Sequence, residues 1–451
     1  MNSLVKQQGQ LTLTMRNRFM RLNKVYRLLL VTGMAVGAAS VAQASGFQLF
    51  EQSGAGTGDY HAGGAAEAND ASTEWYNPAG MTRIKHQQLS VGGVVINTNI
   101  PFRGTVEDNS VNPGSPQYVS TQGGGFNFVP NLHYVAPISN NWAFGFGVNV
   151  PFGLKTDYPS DTYLRYVGTE TSVQAIDLTP SLAVRFSHGV SVGAGADIVY
   201  TKGIFDQYAG LGAGGVNDTS SDNTGHDWAY GFHAGILYEL NNATRFGIAY
   251  HSKIVNHMKG TSKFSGPLAN SGNGGVEENS NLRANFALPP STEFSVFHTI
   301  NKKWDIMASA QYTQWDVFKN LVLQNVAALS SSDIDVVVHE GYKNTWNFAA
   351  GAHYHISSKW TWKFGGGYDM TPSNNQDRNI QLPDSNRIAA STGLAYQAMN
   401  NLRVDLGYTH LFMKNAHINT TQPVDIAQST TIGTVKGSAD IIGLELTWTI
   451  V

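Results

Sequence analysis

From residue 87 onward the chain alternates apolar and polar residues with period two, segment after segment. No other regularity limits its fold as strongly. Trp142, Phe144, Phe146, Val148 and Val150 share one face, while Ala143, Gly145, Gly147 and Asn149 share the other. Trp360, Trp362 and Phe364 oppose Thr361, Lys363 and Gly365. Ile442, Leu444, Leu446, Trp448 and Ile450 oppose Gly443, Glu445, Thr447 and Thr449. The connections fall into two classes. Six are short turns, at 138–142, 187–189, 240–243, 300–304, 356–360 and 399–402. Seven are long and rich in Asn, Ser, Gly and Asp, near 100–125, 152–169, 203–227, 257–281, 316–338, 370–386 and 414–437, and read as watery loops. Together they join fourteen strands and leave both termini on the short-turn side. Even strand number, short turns at one end and long loops at the other is the pattern of an outer-membrane β-barrel. A soluble sandwich also alternates, but does not sort its loops by length.

The bulky face is the outward one, because lipid penalises charge. Trp142, Trp304, Trp360 and Trp362 lie just beyond short turns, where an interfacial girdle belongs. By parity the lumen then receives Asp177, Arg185, Asp197, Glu239, Arg245, Glu293, Lys343, Lys363, Asp369, Arg387, Arg403, Asp405 and Glu445. Both signs occur, so these groups can pair across the barrel or hold a segment inside it.

Composition agrees with this reading. Charged residues make up 14 % of the 451, well below a soluble globule, and 11 % aromatics is too many for a disordered chain. With no Cys, disulfides, thiolate metal sites and cysteine catalysis are excluded. Residues 1–44 read as an export signal: six Lys and Arg precede an apolar run over 28–42, and Ala42-Gln43-Ala44 supplies the small-x-small cleavage pattern. Removing them moves the formal net charge from −3 to −9, which argues against nucleic acid as a partner. Residues 45–86, rich in Gly, Ala, Asn and Asp, show neither the helical nor the strand period and are expected to sit inside the barrel (87–451) as a plug. Within them Asn77-Pro78-Ala79-Gly80 can hold a turn with few side-chain contacts, since Pro78 fixes φ and Gly80 tolerates φ > 0. An ordinary surface turn has the same composition.

Several motifs, in order, resemble the FadL family of outer-membrane channels for long-chain fatty acids and other hydrophobic compounds. The likeness starts at Gly46-Phe47-Gln48-Leu49 and runs to the C-terminus. Asn77-Pro78-Ala79 is similar to the family's hatch motif, and residues 129–138 (VPNLHYVAPI) to its second strand and turn. Leu288-Pro289, residues 339–343 (HEGYK) and residues 378–387 (RNIQLPDSNR) fall in similar places. The resemblance implies capture of a hydrophobic molecule by external loops, passage to a pocket blocked by the hatch, and sideways exit into outer-membrane lipid through a kinked third strand. The kink maps to Pro151, Phe152 and Gly153. Pro151 lacks a ladder donor and Gly153 weakens the strand, although Pro151 could equally just end it. For a carboxylate head group the family uses basic side chains, and Lys343 matches one such position, with a pairing to Glu340 as the alternative. At the second basic position stands Gln207, beside Phe205, with Lys202 close enough to compensate. That departure leaves room for an uncharged substrate. The family also implies a monomer and no cofactor.

Passive uptake of a hydrophobic compound, foremost a long-chain fatty acid, is thus the leading expectation. Monoaromatic or alkane uptake by the same route, a general aqueous porin, and a loop-presenting adhesin or phage receptor are the alternatives. No enzyme is expected, because no Ser–His pair with an orienting third group is legible in the sequence. His353 and His355 share a lumenal face at metal-ligand spacing, without an identifiable third ligand.

Overall fold

The period-two pattern becomes fourteen antiparallel staves in a computed structural model that describes residues 46–450 apart from 213–216, 270, 271, 273, 330, 331, 425 and 426. The expected export segment and Val451 lie outside the described residues. The staves are β1 (Gln87–Asn99), β2 (Phe126–Pro137), β3 (Trp142–Asp157), β4 (Glu170–Leu178 and Ser181–Arg185), β5 (Val190–Phe205), β6 (Thr219–Glu239) and β7 (Thr244–His251 and Ile254–Ser265). They continue as β8 (Val276–Leu288 and Ser291–Asn301), β9 (Trp304–Thr313 and Asn320–Ala328), β10 (Ser332–His339 and Thr345–His355), β11 (Trp360–Asp369), β12 (Arg387–Met399), β13 (Leu402–Met413) and β14 (Ser438–Ile450). Each pairs with the next, and β14 closes on β1 over the full ladder from Gln87–Ile450 to Asn99–Ser438. The outward residues are the bulky ones. Trp228, Tyr230, Phe232 and Ile236 of β6 and Ile442, Leu444, Leu446 and Trp448 of β14 are all exposed, as a lipid-facing surface requires.

The long connections differ from the watery loops expected of them. Pro101–Asp108, Gln117–Gln122, Ala416–Val424 and Ala427–Val435 form a separate four-stranded sheet. The outer segments of β7 to β10 pair with one another beyond the broken points of their staves. These stretches are interspersed with Thr, Ser and Asn, and their apolar residues, such as Phe102, Val106, Ile418 and Val435, are buried inward and present no bulky face to lipid. The breaks have local causes. Pro180 interrupts β4, Pro289 and Pro290 interrupt β8, and none of the three can donate to a ladder. A single 3₁₀ turn, Trp315–Val317, interrupts β9.

Residues 46–86 are tied to inward-facing groups of nearly every stave. Ser53 donates to Glu445 of β14 (2.7 Å), Lys363 of β11 to the Ala55 carbonyl (2.9 Å), and Asp59 meets His353 of β10 (2.6 Å). The Ala65 amide donates to Glu293 of β8 (3.0 Å), and Arg245 of β7 reaches the Ala66 and Glu67 carbonyls (3.0 and 2.7 Å). Glu74 meets His133 of β2 (2.9 Å), and Thr82 meets Ser191 of β5 (2.8 Å). Several buried charges of the wall are therefore compensated by this segment or by each other, as Lys363–Asp405 is at 3.1 Å.

Close approach is possible because glycines face the segment. A Cβ on Gly247 would stand 1.8 Å from the Ala65 carbonyl oxygen, and one on Gly193 would stand 2.5 Å from the Ala79 amide. Gly247→Val should therefore leave the barrel folded, judged by unchanged heat-modifiable migration on a gel, while making residues 46–86 protease-sensitive. A protease-resistant segment in the folded variant would contradict this packing.

Candidate functional site

The wall is broken between β2 and β3. The β2–β3 ladder runs from Pro137–Ala143 to Leu132–Val148 and stops there, although β2 continues to Phe126 along β1 and β3 continues to Asp157 along β4. Along β4 the register of β3 slips between Asn149 and Phe152. Pro151, with no N–H, sits in that slip. The strand does not end at Pro151.

The N-terminal segment supplies the partners that β3 lacks at this point. The Leu49 amide donates to the Pro151 carbonyl (2.9 Å) and the Gly153 amide to the Phe47 carbonyl (2.8 Å), with Gln48 opposite Phe152 as an antiparallel bridge. The Gln52 side chain then acts as a one-residue strand: Val150 N–H donates to its Oε1 (2.7 Å), and its Nε2 donates to the Val150 carbonyl (2.8 Å). Gln52 is held in turn by His133 of β2, whose Nε2 meets the Gln52 carbonyl at 2.8 Å while Nδ1 meets Glu74. Gln52, Glu74 and His133 were not legible as site residues, because they contact β3 and one another only in three dimensions.

Two cavities lie on either side of residues 47–50. The outer one encloses about 850 Å³, partly continuous with solvent, and is walled by Phe47, Leu154, Val173, Phe205, Phe286, Phe318, Leu321, Leu323, Val336 and Val338. Phe47 anchors its floor edge-on to Trp315 (4.9 Å between centroids) and Phe318 (5.3 Å), and Tyr342 closes the cluster. Its polar lining comprises Thr171, Asp206, Gln207, Asn223, Glu340, Gln381 and Gln422. Burial pushes the Glu340 carboxyl up to about 8, against a hydrogen bond from Asn379, and pushes Asp206 up to about 7. The inner cavity, of about 860 Å³, lies against Pro151, Phe152, Tyr60, His61, Trp75, Tyr76 and His251.

The residues singled out from the sequence separate into two groups. Asn77 is fully buried; it accepts from the Ala79 amide (3.1 Å) and donates to the Ala65 and Ile236 carbonyls (2.6 and 3.0 Å), while Pro78 opens the 3₁₀ turn Pro78–Arg83. Pro151, Phe152 and Gly153 lie at the seam, and Phe205 and Gln207 line the outer cavity. Lys343 and Lys202 do not join them. Lys343 is exposed in the break of β10, because residues 340–344 leave the strand and Gly341 takes φ 55°, which cancels the parity that pointed it inward. Lys202 lies on the exposed face of β5, beside the buried Thr201. The expected basic pair is therefore absent from the cavity lining.

His353 and His355 do not share a ligand position either: His353 meets Asp59, and His355 meets Asp305 at 2.7 Å. A different trio, Asp197, His233 and His251, brings one ligand atom each within 4.8 Å of the others. His233 also links Ser181 (2.7 Å) to Asp197 (2.5 Å), a serine–histidine–acid chain that the sequence did not reveal. Ser181 and His233 are both buried in the wall and line neither of the two cavities above, and the chain braces β4, β5 and β6.

Closed fourteen-strand topology, a lipid-type outer face and an internally bonded N-terminal segment define a transmembrane barrel of the outer-membrane class. Residues 35–450 match the model of the family described as outer membrane protein transport protein (OMPP1/FadL/TodX), and the chain belongs to that family. It is 32 % identical to outer membrane protein P1 of Haemophilus influenzae, over 95 % of this chain and all of the relative. It is 30 % identical to the long-chain fatty acid transport protein of Salmonella typhi, over 86 % and 93 % respectively. The crystal structure of a Pseudomonas aeruginosa FadL homologue superposes with a TM-score of 0.80 at 25 % identity, covering 90 % of this chain and 99 % of the other. The protein is accordingly a transport protein of the Gram-negative outer membrane.

Two outcomes follow from this geometry. Gln52→Ala leaves the Val150 amide and carbonyl without partners, at about 1–3 kcal/mol per buried group. Hydrogen exchange at Val150 should accelerate while exchange on β1 and β14 stays slow, and unchanged protection at Val150 would refute the pairing. For Glu340, an acid whose value rises on folding from 4.5 to about 8, stability is lost as pH climbs through that interval and is constant outside it. Thermal unfolding of Glu340→Gln should therefore fall less than wild type between the two limits. Parallel curves would show that Glu340 is not buried.

Proposed function

We propose that this protein carries hydrophobic compounds inward across the outer membrane by lateral diffusion, with residues 45–86 as a hatch and the β2–β3 seam as the exit. The observation that carries the reading is the pairing of Phe47–Gln52 with Val150–Gly153, a stretch of chain that stands both between two cavities and in the gap of the wall. A compound entering the outer cavity rests on Phe47. Displacing residues 47–52 would join the cavities and expose the unpaired edge of β3 to lipid. A sideways route suits such a ligand, because each methylene gains about 0.8 kcal/mol on leaving water and an aqueous pore would forfeit that gain. Asn77, Pro78 and Ala79 anchor the far end of the hatch to β5 and β6, so that its first residues can move while the rest stays. Each closed barrel is a complete channel, and a monomer suffices.

Long-chain fatty acids are the substrate class suggested by relatives named for them. Monoaromatic compounds or alkanes are the second reading, favoured by a specific observation: the described residues place no Lys or Arg in the lining of the outer cavity. A general aqueous porin fits poorly with a lumen crossed by so many wall-to-segment hydrogen bonds.

The chain has no cysteine, so a single disulfide tests the mechanism cleanly. Gln48 and Phe152 face each other as an antiparallel pair, a spacing a disulfide can span. The Gln48→Cys/Phe152→Cys protein should lose uptake of a labelled long-chain compound when oxidised and regain it on reduction. Undiminished uptake by the oxidised form would refute the seam as the exit. Pro151→Ala should lower uptake without loss of folding, for the same reason.

A further inference from the structure

The outward faces of β5 to β8 carry a row of basic side chains that neither cavity uses. Lys202 of β5 stands in register with His226 of β6, His226 with Lys259 of β7, and Lys259 with Arg283 of β8. All four residues are exposed, while their chain neighbours Thr201, Met258, Leu282 and Ala284 are buried, so the row faces away from the lumen. Three interstrand spacings make it about 14 Å long.

Its height follows from β6. The outward residues below His226 are Trp228, Tyr230, Phe232, Ala234, Ile236 and Tyr238, an apolar band with aromatics at both ends. Along a tilted strand that stretch rises about 25 Å, the height of a lipid-facing band. Trp228 packs against Tyr200 of β5, with 5.1 Å between ring centroids, as an interfacial girdle does. His226 is the next outward residue, on the side of the long loops, where hydrocarbon gives way to lipid headgroups.

The row lacks the counter-charges that other cations of this wall have. Like charges directly opposite each other on adjacent strands destabilise a sheet. Further out on β7, Lys263 stands between Asp222 of β6 and Glu278 of β8, and Lys155 of β3 pairs with Glu170 at 3.2 Å. Lys259 instead stands between His226 and Arg283, and Arg283 between Lys259 and Gln324 of β9. Cations held side by side at headgroup height are relieved by an anion, and the lipid-facing position decides where that anion comes from. We propose that Lys202, His226, Lys259 and Arg283 bind the phosphorylated headgroup of an outer-leaflet glycolipid, whose acyl chains lie along Trp228, Tyr230 and Phe232. Arg283 offers a planar fork to two phosphate oxygens, and the two lysines add point charges. None of the four lines either cavity, so the site stands independently of the uptake reading.

Native mass spectrometry of the purified protein in detergent tests this with three probes: diphosphoryl lipid A, its dephosphorylated form and inorganic phosphate. The diphosphoryl lipid should bind about tenfold or more tightly than the dephosphorylated one, and equimolar phosphate should not displace it. Lys202→Gln should weaken its binding about fivefold, and Lys259→Gln/Arg283→Gln about 25-fold, at one cation's worth of headgroup attraction each. Lys302→Gln/Lys359→Gln makes the same charge change at exposed short-turn residues and should bind as wild type does. Heat-modifiable migration should show every variant folded, since each replaced side chain is exposed.

Equal affinity for the two lipids, no binding to the folded wild type, or a Lys259→Gln/Arg283→Gln protein no weaker than the short-turn variant would overturn the site. Displacement by equimolar inorganic phosphate would overturn the lipid as its occupant.

Discussion

In a membrane wall every backbone amide and carbonyl needs a partner, because lipid offers none. A closed barrel meets that demand by pairing each strand with two neighbours. This barrel departs from it where β3 leaves β2 after Val148, and the deficit is filled from inside: by the backbone of Phe47 and Leu49, and by the side chain of Gln52. The rest of the architecture follows from that substitution. The N-terminal segment must reach β3 in a fixed register, so it is bound to β2, β5, β7, β8, β10, β11 and β14 by buried side chains, and the wall must offer glycines where it passes closest.

What was legible in the sequence tracks how local each signal was. Fourteen staves could be counted because lipid imposes an apolar face every second residue, and the six short turns recur as Asn, Ser and Lys just before a new strand. All six fall where strands are exchanged. The outer strands were missed because water imposes no such face: Ala416–Val424, His-Ile-Asn-Thr-Thr in its middle, has the composition of a loop and the hydrogen bonds of a sheet. Lys343 was misplaced by the same counting that succeeded elsewhere. Parity holds only while a strand is unbroken, and Gly341 resets it.

Site residues were readable where they carry backbone chemistry and unreadable where they carry pairing. Pro151 and Gly153 announce a weak ladder, and Asn77-Pro78 announces a tight turn with a capping side chain. Nothing in the local sequence shows that Gln52 would pair with β3 or that His133 would hold it. Their roles come from a register between segments about 100 residues apart.

The seam and the N-terminal segment are held by the same few hydrogen bonds, and this bears on how the proposed opening would be driven. Were they independent, a ligand would have to displace the segment and then separately part the wall. Here Phe47 belongs at once to the floor of the outer cavity, through its ring, and to the closure of β3, through its carbonyl. Under the proposed mechanism, a ligand that rotated the ring would also strain the bond to Gly153. Four backbone or amide hydrogen bonds span the junction, each with a net worth of about 0.5–1.5 kcal/mol. An apolar chain gains a comparable total from a handful of methylenes leaving water, at about 0.8 kcal/mol each. Opening on this account needs no external energy source and no motion of the barrel itself, and its cost scales with the length of apolar surface the ligand brings.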